Sequence, residues 1–198
     1  MLIFGLAVIL IFALSTNISR EILINYSPGM FWVMNLFIVV LGVHRSFAYE
    51  KEFDAFSLLV SAPIDRGLIF LSKWISGFIF LTATQVIIIA PFFKLLLLDF
   101  PENLSLFILT AILINIGMMA IANLVSGIVI RSNFSEILLP LILFPLLSPL
   151  MIAATKISSG VISLQPFNIW NVWVLIVISI VVLFGLAGYA LFDFIVEE

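Results

Sequence analysis

Residues 103–130 read NLSLFILTAILINIGMMAIANLVSGIVI, with no Asp, Glu, Lys, Arg or His among them. Crossing about 30 Å of hydrocarbon at about 1.5 Å per residue takes about 20 apolar residues, so this run can cross as one helix. Four more charge-free runs stand around it: Ile22–Val43, Trp74–Phe93, Ile137–Thr155 and Ile157–Phe192. The last is too long for one crossing and opens on Ser158, Ser159, Gly160, Gln165, Pro166 and Asn168, which starts its membrane part near Asn171. At the other end Leu2–Leu14 is apolar but rises only about 20 Å as a helix. Ala13-Leu14-Ser15 has the small-residue look of a signal cleavage site, yet no Lys or Arg precedes the apolar run. We read it as a first span completed by Ser15–Ser19.

Composition agrees with lipid as the solvent. The 198 residues are 64% apolar and 10% charged, whereas soluble domains run about 45–50% and about 25%. A domain this size leaves about 30% of its unfolded surface in contact with solvent, so an ordinary water-soluble fold is excluded. Eight basic against eleven acidic side chains leave a net charge of −3 without basic runs, which points away from nucleic acid. Cysteine is absent, which excludes disulfides, thiolate metal sites and Cys-x-x-Cys chemistry. The expected fold is all-α, a polytopic membrane protein with about six transmembrane helices in a single domain, residues 1–198. Its expected spans are 2–19, 27–43, 68–93, 104–130, 136–154 and 172–193, with 44–67 as a cytoplasmic coupling segment. With the N-terminus inside, Arg45, Lys51, Arg66, Lys73 and Arg131 fall on the cytoplasmic side, against Arg20, Lys94 and Lys156 outside. Both termini are then cytoplasmic.

The hydrophilic connection His44–Arg66 reads HRSFAYEKEFDAFSLLVSAPIDR. Its apolar members Tyr49, Phe53, Phe56 and Val60 recur at helical spacing and form one stripe of an amphipathic helix. Glu50 and Asp54, four apart, disfavour an isolated helix by about 0.2–0.5 kcal/mol, so a basic group is expected nearby. Pro63 ends the segment, because the residue before a proline is pushed out of the helical region. Two readings are open for this segment: a helix lying at the membrane surface with solvated charges, or a docking helix for a cytoplasmic partner.

The acids Glu50 and Glu52, then Leu58-Leu59, Pro63, Arg66 and Lys73, resemble the first cytoplasmic connection of export permeases of the ABC-2 class. Within that class the chain is similar to the CcmB family, the membrane subunit of the haem exporter of c-type cytochrome maturation. The stretch Leu139-Pro140-Leu141-Ile142-Leu143-Phe144-Pro145-Leu146-Leu147-Ser148-Pro149-Leu150 resembles that family's fifth span. Arg131 matches the basic residue usual before it, and Ser27-Pro28-Gly29-Met30-Phe31-Trp32 resembles the start of the second span. The family carries an amphipathic, partly basic segment ahead of its first span, whereas these residues open on the apolar run; Asp54 stands where glycine is common.

The resemblance implies a non-enzymatic permease subunit in the bacterial inner membrane, driven by a separate CcmA-like ATPase that uses the ATP. It also implies a homodimer, a CcmC-like haem-handling membrane partner, and delivery of haem, or release of a haem-loaded chaperone, at the periplasm. Tyr49, Phe53 and Phe56 of the stripe and the acids Glu50 and Asp54 are the expected coupling residues; Glu52, Leu59, Pro63 and Arg66 join them by resemblance. Pro140, Pro145 and Pro149 are candidate pathway or hinge residues, since each removes a backbone donor and is expected to bend or break its helix. A lipid, glycan or drug permease of the same class, or a non-transporting scaffold for a haem-handling complex, stay open as alternatives.

No tightly bound cofactor is expected. His44 is the single histidine, so bis-histidine haem ligation within one chain is impossible, and Met118, Met119 and Met151 read as packing. Trp170-Asn171-Val172-Trp173 reads as an interfacial aromatic pair. Gly67–Lys73 is not a phosphate loop, with Ser72 in place of its second glycine and Trp74 in place of its Ser or Thr. Acids and bases are absent from the span centres, which argues against ion coupling. Asn35, Gln85, Asn115 and Asn123 are expected to bond between helices, and Gly185 with Gly188 to let helices approach, within the subunit or across a dimer.

Overall fold

The computed structural model describes residues 1–15, 19–53, 58, 61, 63–129, 132 and 134–197, with side chains described at all of these except 47, 51, 52 and 195–197. They form α1 Leu2–Ser15, α2 Arg20–Glu52, α3 Arg66–Leu95, α4 Leu104–Val129, α5 Ser135–Ile162 and α6 Phe167–Glu197. Five of these, α2 to α6, are long and apolar enough to cross a membrane; α1 has 14 residues and falls short of the six full spans expected. The charge-free runs Ile22–Val43, Trp74–Phe93 and Ile137–Thr155 each lie within one helix, because hydrocarbon offers backbone N–H and C=O groups no partner except one another, while Ile157–Phe192 divides between the end of α5 and α6.

Packing centres on α4, which touches α2, α3, α5 and α6, while α1 lies mainly against α3. Its buried residues run from Phe107 to Val129 and include Asn115, Gly117 and Ser126. The helices alternate in direction, so one end of the bundle gathers the last turns of α2, α4 and α6 with the first turns of α3 and α5. At the opposite end Phe31, Phe92, Phe93 and Phe107 pack edge-on or tilted at 5.2 to 6.1 Å between ring centroids. The buried indole of Trp32 donates there to Ser158 Oγ at 2.8 Å, which joins α2 to α5. The outward residues of α3 and α6, such as Ile79, Val86, Leu183 and Leu186, are apolar and more than half exposed, as a lipid-facing surface requires.

Two helices stop without glycine. Leu97 and Leu164 adopt φ of 55° and 52°, where a side chain costs about 1–2 kcal/mol. The Leu98 and Gln165 amides then reach back to the carbonyls of Phe93 and Gly160, each at 2.9 Å, and close the helix ends.

The prolines do not break their helices: α5 is continuous from Ser135 to Ile162, so of the bend or break expected at Pro140, Pro145 and Pro149 the break is excluded. Pro149 has no N–H for the carbonyl of Pro145, and the neighbouring Ser148 hydroxyl donates to that carbonyl at 2.7 Å. In α2 the same device recurs: Pro28 deprives Ile24 of its donor, and Ser27 Oγ donates to Ile24 O at 2.9 Å. Each Ser-Pro pair therefore repairs the bond that its own proline removes. The stripe Leu139, Leu143, Leu147 and Leu150, at most 4% exposed, holds α5 in place, while Pro145 and Pro149 are exposed on its outward side. Ser27 is 2% exposed, so Ser27→Ala strands a buried carbonyl and should cost about 1–3 kcal/mol. Thermal unfolding in detergent should show this loss, with Ser27→Thr close to the parent because it keeps the hydroxyl.

Candidate coupling site

The connection 53–65 leaves from the last turn of α2 and returns at the first turn of α3, and both points are tied to helices behind them. Helix α2 runs past the charge-free run to Glu52, so Tyr49 and Glu50 ride on a rigid extension of a spanning helix. On the departing side Glu50 forms an ion pair with Lys73, two turns into α3, with side chains 20% and 13% exposed. This is the basic group that the acids Glu50 and Asp54 called for.

On the returning side Asp65 caps α3, its Oδ1 accepting from the Gly67 amide at 2.8 Å. Its Oδ2 accepts from Tyr189 Oη of α6 at 3.2 Å. Arg66 Nη1 lies 3.5 Å from the Asp193 carbonyl oxygen. Gly67 admits the Tyr189 ring, since a Cβ there would stand 2.6 Å from its Cε2. One turn on, Phe70 packs against Phe192 with centroids 5.7 Å apart. The start of α3 is thus bound to the end of α6 by one hydrogen-bonded tyrosine, whose ring packs on Gly67, and by the tilted Phe70–Phe192 contact.

Between these ties the surface is aromatic. Tyr49 and Phe53 are 49% and 68% exposed. Their rings lie nearly parallel, 4° apart with centroids at 6.3 Å. The Arg45 guanidinium sits 5.5 Å over the Tyr49 ring, and its Nη2 donates to Tyr49 Oη at 3.3 Å. Exposed aromatic area beside a fixed cation is the composition of an interface anchor. Pro63 is exposed in a bend. Asp54, Phe56 and Leu59 lie outside the described residues, as do the Glu52 side chain and Arg131.

Asp65 and Tyr189 belong to this arrangement although the sequence reading passed over them. An Asp directly ahead of a helical run is an N-cap signature that could have pointed to Asp65. Tyr189 left no such signal, since its partner lies 124 residues away. The polar residues inside the bundle divide. Asn115 bonds between helices, its Nδ2 donating to Gln85 Oε1 at 2.7 Å, whereas Asn35 and Asn123 turn back to their own helices, to Phe31 O and Met119 O, each at 2.8 Å. Trp170, in the first turn of α6, is 5% exposed and packs on Gly160, so its ring faces the protein.

Residues 1–193 match the family model described as CcmB protein. A curated relative from Pseudomonas aeruginosa, named "Heme exporter protein B", is 25% identical over 152 residues, 76% of this chain and 67% of its own length. One of the same name from Rhodobacter capsulatus is 25% identical over 157 residues, 79% of this chain and 71% of its own. No solved structure matches the chain.

Proposed function

Since the chain belongs to the CcmB family, we propose that it works as the membrane-spanning permease subunit of a haem exporter serving c-type cytochrome biogenesis. It is a multi-pass transporter component and not an enzyme. A separate cytoplasmic ATPase dimer hydrolyses the ATP and docks on the 44–67 segment, two copies of this chain form the membrane unit, and a haem-handling membrane protein stands beside it in the bacterial inner membrane. Both termini then lie in the cytoplasm. Haem passes through as cargo and is not held as a resident group.

The observation that supports coupling is the double attachment of the connection. Movement imposed at Tyr49 and Phe53 reaches α3 through Glu50 and Lys73, and movement at Asp65 reaches α6 through Tyr189. A docked ATPase changes the preferred arrangement of these helices only if it binds one arrangement more tightly than the other. Pro140, Pro145 and Pro149 supply a helix with fewer backbone bonds to resist such a change.

Tyr49→Ala combined with Phe53→Ala removes the exposed aromatic pair and touches no core contact. We expect ATPase co-purification to weaken at least tenfold, as for loss of interface anchors, with membrane insertion unchanged. Equal recovery of the ATPase with parent and double variant would rule out docking here, and intact c-type cytochromes in a strain lacking this chain would rule out the transport role.

A further inference from the structure

A cavity of about 400 Å³ opens beside the ion pair, with α4 as its back wall, α2 and α3 as its sides and Met1, ahead of α1, against Gly42. Its lining is layered. Toward the connection end it presents Arg45, Ser46, Lys73 and Ser76, with Glu50 paired to Lys73 and Asn123 at the back. Toward the bundle centre it presents Ile38, Val39, Phe80 and Met119. The change occurs at one depth on three helices: after Val43 in α2, before Phe80 in α3 and after Met119 in α4.

Two glycines admit methionine ends at its walls. A Cβ on Gly77 would stand 2.3 Å from the Met119 methyl, and one on Gly42 would stand 2.2 Å from the Met1 methyl. The volume is that of a small-molecule site, where sites run about 300–1,000 Å³. It is more room than an inorganic ion fills.

Charge selects the occupant. Among the described side chains of the lining, the cations Arg45 and Lys73 outnumber the one carboxylate, Glu50. Arg45 makes its contacts with Tyr49 Oη and the Tyr49 ring, which leave its charge in place. A ligand suited to this space carries a negative head, hydrogen-bond acceptors for Ser46 and Ser76, and an apolar body that follows Phe80 between α2 and α3. In a bilayer the abundant molecule of that form is a phospholipid with a net negative headgroup.

We propose that the Arg45–Lys73 cavity between α2, α3 and α4 is a binding site for an anionic phospholipid, with its head at Arg45 and Lys73 and its chains leaving over Phe80. The site is independent of the transport reading, since it rests on the cavity and its charges alone. Occupied, it fills the gap behind the ion pair that anchors the connection.

The test is native mass spectrometry of the full chain in detergent, titrated with phosphatidylglycerol, phosphatidylcholine or inorganic phosphate. One equivalent of phosphatidylglycerol should bind at least tenfold more tightly than phosphatidylcholine, and millimolar phosphate should not displace it. Arg45→Glu, at an exposed position, should weaken binding at least tenfold, and Gly77→Leu should do the same by filling the hollow. Lys94→Glu, a basic residue at the opposite end of the bundle, should leave it unchanged. Undiminished binding in Arg45→Glu and Gly77→Leu overturns the site, equal binding of phosphatidylcholine makes it ordinary lipid contact, and displacement by phosphate makes it a free-anion site. Should Gly77→Leu fail to fold, Arg45→Glu alone decides.

Discussion

Lys73→Met should destabilise the protein by about 3–5 kcal/mol, more than any other single charge removal in the bundle. The Glu50 and Lys73 side chains are 20% and 13% exposed and join the end of α2 to α3 across the whole connection. Removing the ammonium leaves a mostly buried carboxylate without its partner at the edge of the bundle. Uncompensated charge there costs far more than an exposed ion pair contributes, about 0–1 kcal/mol. The exposed pair Arg20–Asp99 at the opposite end, 60% and 89% exposed, is the internal control. Arg20→Met should shift stability by well under 1 kcal/mol. Pairing Lys73→Met with Glu50→Gln should restore most of the loss, because both charges then leave together. Thermal unfolding of the detergent-solubilised single and double variants measures this. A double variant no better than Lys73→Met would mean that Lys73 acts through other contacts and not through Glu50.

The rescue, if it occurs, separates stability from transmission. Glu50→Gln with Lys73→Met keeps the fold but replaces a charged tie by a weaker one. On the proposed function, such a chain inserts normally and still binds its ATPase through Tyr49 and Phe53. It loses cargo delivery because α2 and α3 no longer move together.

Much of the fold was legible because one physical demand dominates it. Lipid forces each long charge-free run to satisfy its own backbone, so runs such as Asn103–Ile130 could become nothing but helices. What followed from charge alone was less complete. The span was expected to end at Val43 and an amphipathic helix to follow in 44–67; the two are one helix as far as Glu52, because Arg45 to Glu52 contains neither glycine nor proline. The proline-rich helix shows why a lost donor does not by itself break a helix: at Pro149 the hydroxyl of Ser148, one residue earlier, donates to the carbonyl left free. The need for a base beside Glu50 could be argued from sequence, and Lys73 meets it. That Asp65 finds Tyr189 could not, because nothing local marks a partner on the last helix.

Gly188→Leu should be the most damaging apolar substitution, costing about 3 kcal/mol or more, because α3 and α6 touch at this point with no spare room. A Cβ on Gly188 would stand 2.1 Å from Phe70 Cζ and 2.5 Å from both of its Cε atoms. Phe70 is fully buried, and its ring is held by Trp74 at 5.8 Å and Phe192 at 5.7 Å between centroids. It therefore cannot swing aside as a methionine end could. One turn earlier Gly185 meets Trp74 in the same way, with a Cβ 2.6 Å from Cη2. The small face of α6 is thus spent within the subunit, not left for a second copy. Phe70→Ala should itself cost about 3–5 kcal/mol through the cavity it leaves. Joined to Gly188→Leu it should cost less than the two apart, since the leucine enters the space the ring vacates, and this non-additivity is the signature of direct contact. Additive losses would show that Gly188→Leu acts by bending α6. Because Asp65, Tyr189 and this contact lie within two turns, the repacked chain would also lose the route by which the connection reaches α6, whatever stability it regains.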